Sequence, residues 1–249
     1  MRYSILIIFI CTFLVSYSIK ASSKQTSKSK HSQALIKAKF SPLQIGITDK
    51  ISLVNSKAYI YGISIGLPLA YNRRVYGIGT GFAGANAYNY GIQMYLCNLG
   101  GNTNGIQTGL ISLQTRRCNG LQANLFWNQG RCLYGVQVGC KNNCMSLHGG
   151  QIGLINSCSI PISKAAIHGF HKMEHGVMFQ VGVSNYTAKI GGINPNDDTY
   201  QFGIRNTSQA GFQFGIYNKS KESFLQIGLL NHNEKGFLPY FPFFNFSVE

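Results

Sequence analysis

The sequence predicts an all-β fold: repetitive antiparallel strands forming a closed or nearly closed β-barrel, with a parallel β-solenoid as the alternative. Three observations predict it. The first is a returning phrase, Gln151-Ile152-Gly153-Leu154-Ile155-Asn156, repeated as Gln213-Phe214-Gly215-Ile216-Tyr217-Asn218 and Gln226-Ile227-Gly228-Leu229-Leu230-Asn231. Weaker copies start at Gln93, Gln107, Gln122, Gln137 and Gln201, and recurrence at a fixed spacing is the signature of a repeat architecture. The second is alternation. In Gly105-Ile106-Gln107-Thr108-Gly109-Leu110, Ile106, Thr108 and Leu110 share one face while Gly105, Gln107 and Gly109 share the other, the period-two pattern of a strand. The third is punctuation. Asn142-Asn143, Asn156-Ser157, Asn218-Lys219-Ser220 and Asn231-His232-Asn233 end the phrases with residues that bond their own backbone in turns, and no amphipathic helical stretch follows the leader.

The elements follow in chain order. Residues 1–21 read as a signal peptide: Arg2 precedes an apolar run from Ile5 to Ile19, and the small residues Ala21, Ser22 and Ser23 follow. That run is shorter than the roughly 20 apolar residues of a comfortable helical span. Residues 22–39 form a basic, Ser/Lys-rich flexible segment, in which Lys24, Lys28, Lys30, Lys37 and Lys39 occur without an acidic residue. Residues 40–249 form a single β-repeat domain. Across the whole chain 22 Lys+Arg stand against 7 Asp+Glu, a formal charge of +15, which favours anionic surfaces as partners.

Glycine in nearly every copy implies a geometric need, because Gly in a strand costs about 0.5–1 kcal/mol against Ala. Close approach of backbones on the Gly/Gln face meets that need. The apolar face is expected to hold the sheet together, and in the solenoid alternative it faces inward. Turns of about five residues are too short for a parallel crossover, which favours antiparallel hairpins and a barrel. The spacing of Gly191, Gly203, Gly215 and Gly228 suits hairpins as well.

The phrase resembles the Gly-Val-Gln-Ile-Gly-Leu-Ile-Asn-type repeat of bacterial surface repeat-containing proteins, exported families without an assigned activity. The likeness opens at Phe40-Ser41-Pro42-Leu43-Gln44-Ile45-Gly46 and runs through Tyr61 to Leu67 and Val75 to Gly81. It closes at Gly236-Phe237-Leu238-Pro239-Tyr240-Phe241-Pro242-Phe243-Phe244-Asn245-Phe246. The resemblance implies export and an outer-membrane or cell-surface address, with a periplasmic or secreted one as the alternative. It implies no catalytic residues. The cysteines, the basic segment and the trailing Ser247-Val248-Glu249 depart from the pattern.

Candidate chemistry is thin. His171, Glu174 and His175 spell His-x-x-Glu-His, a zinc-protease pattern, but the mechanism needs a helix and Gly169 and Gly176 flank the segment. Asp197-Asp198 after Asn194-Pro195-Asn196 reads as a turn. Gly77, Gly79, Gly81 and Gly84 resemble a phosphate loop, yet no helix follows to receive a phosphate. Cys140-x-x-x-Cys144 lacks a second pair for zinc. The six cysteines after the leader, Cys97, Cys118, Cys132, Cys140, Cys144 and Cys158, permit disulfides in an exported chain; Cys144–Cys158 and Cys118–Cys132 each stand one repeat apart. Trp127 and Phe126 are expected at the core or an interface. Tyr59, Tyr61, Tyr71, Tyr76, Tyr88, Tyr90 and Tyr95 are candidates for an interfacial aromatic belt.

These readings assign no catalytic, cofactor or metal residue. They lead to a non-enzymatic exported β-repeat protein with a structural, adhesive or lipid-contacting role. Its partners are a membrane or lipid, or an anionic surface polymer, with no motif for specific nucleic acid. The alternatives are a soluble binding module for an apolar or anionic ligand and, last, a metal-dependent hydrolase.

Overall fold

The structure is a computed structural model that describes residues 33–47, 51–159, 178–188 and 199–247. The described residues contain strands and no helix, so the all-β expectation holds. They form a 12-stranded sheet in which β1 (Gln33–Ile36) and β12 (Tyr240–Asn245) are the two ends and do not pair with each other. The sheet is therefore not closed, and the barrel expectation is corrected.

Strand direction is corrected too. The body comprises β4 (Tyr59–Gln114), β5 (Arg117–Val138), β6 (Lys141–Ile152), β7 (Ile155–Ser159), β8 (Met178–Ala188), β9 (Thr199–Thr207), β10 (Ala210–Ser220) and β11 (Glu222–Asn233), and all its pairings are parallel. Like residues face like: Gln137 pairs Gln151, Gly203 pairs Gly215, and Asn218 pairs Asn231. A parallel neighbour only one repeat away requires the chain to return within that repeat, so each copy of the phrase is one turn of a coil. The crossover argument failed because the return path is the second half of the repeat, itself extended, rather than a short loop.

Inside β4 the same stacking continues. Tyr61, Tyr76 and Tyr90 stack with ring centroids 4.8 and 4.9 Å apart, the spacing of adjacent strands. The ends are finished differently. β2 (Phe40–Gly46) runs parallel to β4 and antiparallel to β3 (Ile51–Val54), and β12 lies antiparallel on β11. The Phe-rich ending is thus a strand that covers one edge of the stack.

The inside of the coil overturns the expected core. Gln107, Gln122, Gln137, Gln151, Gln180, Gln201, Gln213 and Gln226 have no exposure, nor do Asn128, Asn142, Asn156, Asn206, Asn218 and Asn231. The expected apolar filling is outside, where Leu125 is 59% and Leu229 64% exposed. Each glutamine donates from Nε2 to the Oε1 of the glutamine one turn earlier: Gln122 to Gln107 at 2.9 Å, Gln137 to Gln122 at 2.7 Å, Gln151 to Gln137 at 2.8 Å. The row continues through Gln180, Gln201, Gln213 and Gln226.

The asparagines form a second row with the opposite sense. Asn128 donates to Asn142, Asn142 to Asn156 and Asn156 to Asn185, at 2.8 to 2.9 Å. Backbone carbonyls fix both senses. Asn142 Nδ2 also donates to the Ile152 oxygen, and Gln213 Nε2 to the Lys219 oxygen. In-register stacking therefore satisfies buried amides that would each cost about 1–3 kcal/mol if left unpaired.

Glycine makes the coil thin enough for these rows. Gly105 has φ 138, and a Cβ there would meet the carbonyl oxygen of Gly91 one turn away. The close backbone approach expected of the Gly/Gln face is what the structure shows.

A small apolar cluster completes the interior, with Cys118, Leu133, Cys144, Leu147, Cys158 and Met178. Tyr95 lies fully buried near the start of the stack, where Gly79 and Gly84 leave room for its ring, and its hydroxyl donates to the Ser64 carbonyl at 3.0 Å.

Candidate functional site

The outer surface of the Gln-bearing half of each turn is apolar along the length of the coil. Alternation places the residues before and after each glutamine outward, and stacking brings each position into a column. One column contains Ile63, Ile78, Ile92 and Ile106; another contains Leu67, Phe82, Leu96, Leu125, Leu154, Ile204, Ile216 and Leu229, all exposed. With a third column through Met94, Val138, Ile152 and Phe214 between them, the face is about three residues wide. At ~4.8 Å per turn over about ten turns, it covers roughly 700 Å². Contiguous apolar patches of that size mark contact surfaces.

Both margins of this face are polar, and they differ. Beside the buried asparagines lie Lys141 and Arg205, each just before one, and Lys219, just after one, all exposed, and Lys141 sits over the Trp127 ring at 5.5 Å. Trp127 is half-buried and Phe126 exposed, so neither belongs to the core. On the other margin runs an aromatic column: Tyr61, Tyr76 and Tyr90 stacked, then Asn119, whose Nδ2 donates a hydrogen bond to Asn104 Oδ1, then Tyr134 on His148 with centroids 4.5 Å apart. Three of the seven belt tyrosines expected from sequence thus share one column. Tyr59 and Tyr88 flank Arg74 just beyond it, and Tyr95 is interior.

The predicted chemistry is dispersed. His171, Glu174, His175, Asp197 and Asp198 lie outside the described residues. Gly77, Gly79, Gly81 and Gly84 belong to stacked strand segments, where Gly79 and Gly84 accommodate Tyr95. Cys140 is exposed and Cys144 buried, so the two do not share a site, and among the described residues no three His, Cys, Asp or Glu side chains gather for a metal.

The disulfide expectation is corrected as well, since the described cysteines form no bridge. Cys144 and Cys158 are register partners, as their spacing suggested. Their thiols are hydrogen-bonded, and that bond together with burial holds Cys144 well above the usual thiol range. Cys118 packs with Leu133, which is fully buried, while the neighbouring Cys132 is half-buried. Burial pushes the Cys118 thiol up to about 12. Desolvation also raises Cys132, with Arg117 and Arg131 opposing the shift.

Sequence reasoning missed the arginines along the tyrosine margin. Their signal was present in the chain: Arg73-Arg74, Arg116-Arg117 and Arg131 are separated by whole numbers of repeats. It also missed a groove at the C-terminal end of the apolar face, lined by Phe202, Phe214, Ile216, Ile227, Leu229 and Phe243. Phe243 reaches it from β12 with a left-handed backbone, φ 72. No protein family, curated protein or solved structure matches this chain.

Proposed function

We propose that this chain is a non-enzymatic exported repeat protein of the outer membrane or cell surface, whose apolar outer face rests on lipid. The observation that carries the reading is the column of mostly exposed apolar side chains from Leu67 to Leu229, passing through Leu110, Cys140 and Val183, on one face of a coil whose interior is largely amide. An unfilled core does not account for these side chains, since the interior is already filled by the Gln and Asn rows, Tyr95 and the small buried apolar clusters. Covering such a face removes apolar surface from water at about 25 cal/mol per Å². The tyrosine column beside it supports the same reading, because Tyr rings favour the boundary between acyl chains and water. The Arg2-led apolar leader and the resemblance to surface repeat proteins support export.

Flotation with phospholipid vesicles tests the reading. The chain is expected to rise with the vesicles, and Leu125→Gln with Leu154→Gln to lower the bound fraction at unchanged strand content by circular dichroism. A chain that stays in the aqueous layer overturns it.

A second reading is favoured by the groove under Phe243: a binding module for one apolar ligand. Saturable uptake of a single fatty acid, lost in Phe214→Ser, would establish that reading in place of a flat contact.

A further inference from the structure

We infer that the lipid surface this coil rests on is anionic, and that the arginine row along the tyrosine margin of the apolar face engages its phosphates. The inference rests on the lipid-contact reading above and specifies the headgroup.

Arg73 and Arg74 lie in one turn, Arg116 and Arg117 three turns on, and Arg131 in the turn after that. The backbone bonds keep the positions aligned: Arg116 N donates to the Gly101 oxygen and Cys132 N to the Arg116 oxygen. Two of the guanidinium groups lie over aromatic rings, Arg74 between the tyrosines just beyond the column and Arg117 over a member of the column itself. Arg74 lies 5.0 Å over the Tyr59 ring and 5.4 Å over Tyr88, and its Nη1 donates to the Tyr59 hydroxyl at 3.3 Å. Arg117 lies 6.0 Å over Tyr134, which itself stacks on His148.

From the face outward, the order is therefore isoleucine, tyrosine, arginine. That order matches a bilayer boundary met from the acyl chains outward. Arginine on an aromatic ring keeps planar N–H donors available, the geometry that suits phosphate oxygens.

Charge complementarity selects the lipid. Among the described residues the carboxylates are Glu222 and Glu234, both in the last turns, where Glu222 pairs with Lys235 at 2.9 Å. With 22 Lys+Arg against 7 Asp+Glu in the chain, the field around Arg73, Arg74, Arg116 and Arg117 is positive and is complemented by an external anion. A zwitterionic leaflet offers no net field to meet it, whereas an anionic leaflet does.

The test uses the full chain with vesicles of phosphatidylcholine alone and of phosphatidylcholine mixed with phosphatidylglycerol. Tighter binding to the mixed vesicles, released as salt rises, is expected. Arg73→Gln, Arg74→Gln, Arg116→Gln and Arg117→Gln together should weaken it by roughly 600-fold, at about fivefold per residue. The basic segment before residue 40 is the same in both chains, so the difference reports the row alone. A four-arginine variant that keeps the full preference for phosphatidylglycerol overturns the inference, and so does equal binding of the unaltered chain to both vesicles. The apolar contact is read separately, by whether Leu125→Gln with Leu154→Gln lowers binding to both vesicle types. Failure of the unaltered chain to bind either vesicle overturns both proposals.

Discussion

The two sides of one strand in this coil reverse the usual assignment of polar and apolar residues. Within Gln107-Thr108-Gly109-Leu110 the glutamine is fully buried, while the apolar columns flanking it, at Ile106 and Leu125, are exposed. The comparison teaches that hydrophobicity does not by itself decide what fills a β structure. When identical residues stack in register, an amide finds its partner in its own copy one turn away, and the desolvation that normally keeps glutamine outside is offset by two bonds per side chain. Isoleucine gains nothing comparable from stacking, and its face stays free for a partner.

The comparison breaks most directly from inside. Gln137→Leu leaves Gln122 Oε1 without its donor and takes from Gln151 Nε2 its shortest acceptor, leaving it the longer bonds to Cys144 Sγ and the Ser157 oxygen. A loss of about 2–4 kcal/mol is expected in urea unfolding, from one orphaned amide oxygen, one weakened amide donor and a misfitting side chain. Gly105→Ala belongs to the same class, with a loss of about 3 kcal/mol or more, because the new Cβ meets the Gly91 carbonyl at a left-handed φ. A stability unchanged by Gln137→Leu would show that the amide rows do not hold the coil together.

A smaller effect comes from alkali. Folded Cys118 keeps its proton up to about pH 12, while the unfolded thiol releases it near its usual value of 9.0. Rising pH between those values therefore draws the equilibrium toward the unfolded chain, by at most about 1.4 kcal/mol per pH unit. Stability is fully present below pH 9, and Cys118→Ala should flatten the slope above it in thermal melts. The smallest effect is expected outside. Leu125→Gln should change unfolding stability by less than about 0.5 kcal/mol while reducing vesicle binding, a separation of folding from contact that a conventional apolar core would not allow.

Much of this was legible in the chain. The repeat, the strand period and the need for glycine at close approach all follow from local spacing and sterics, and all recur in the structure, whereas the asparagines expected in turns lie within strands, buried against their copies one turn away. The facing was not legible. Alternation separates Ile106 from Gln107 but is symmetric with respect to inside and outside, so the apolar side was assigned inward by its solvation alone. The outer margins were half legible. The tyrosines were visible as an enrichment, but Tyr61, Tyr76 and Tyr90 became a column and Tyr95 an interior residue only through the turn-to-turn register. Arg73, Arg116 and Arg131 were separated by whole repeats, yet only the corner positions of those repeats bring them to one margin.

Sequence alone determined that this protein is a train of short, glycine-marked strands with an apolar and an amide side, because those properties reside in single residues and their immediate neighbours. Tertiary structure decided the direction of pairing, the open ends and which side faces in. Those depend on what each side chain meets one turn away: a glutamine beside its own copy is satisfied in a parallel stack, and an antiparallel hairpin would have set it against a different residue.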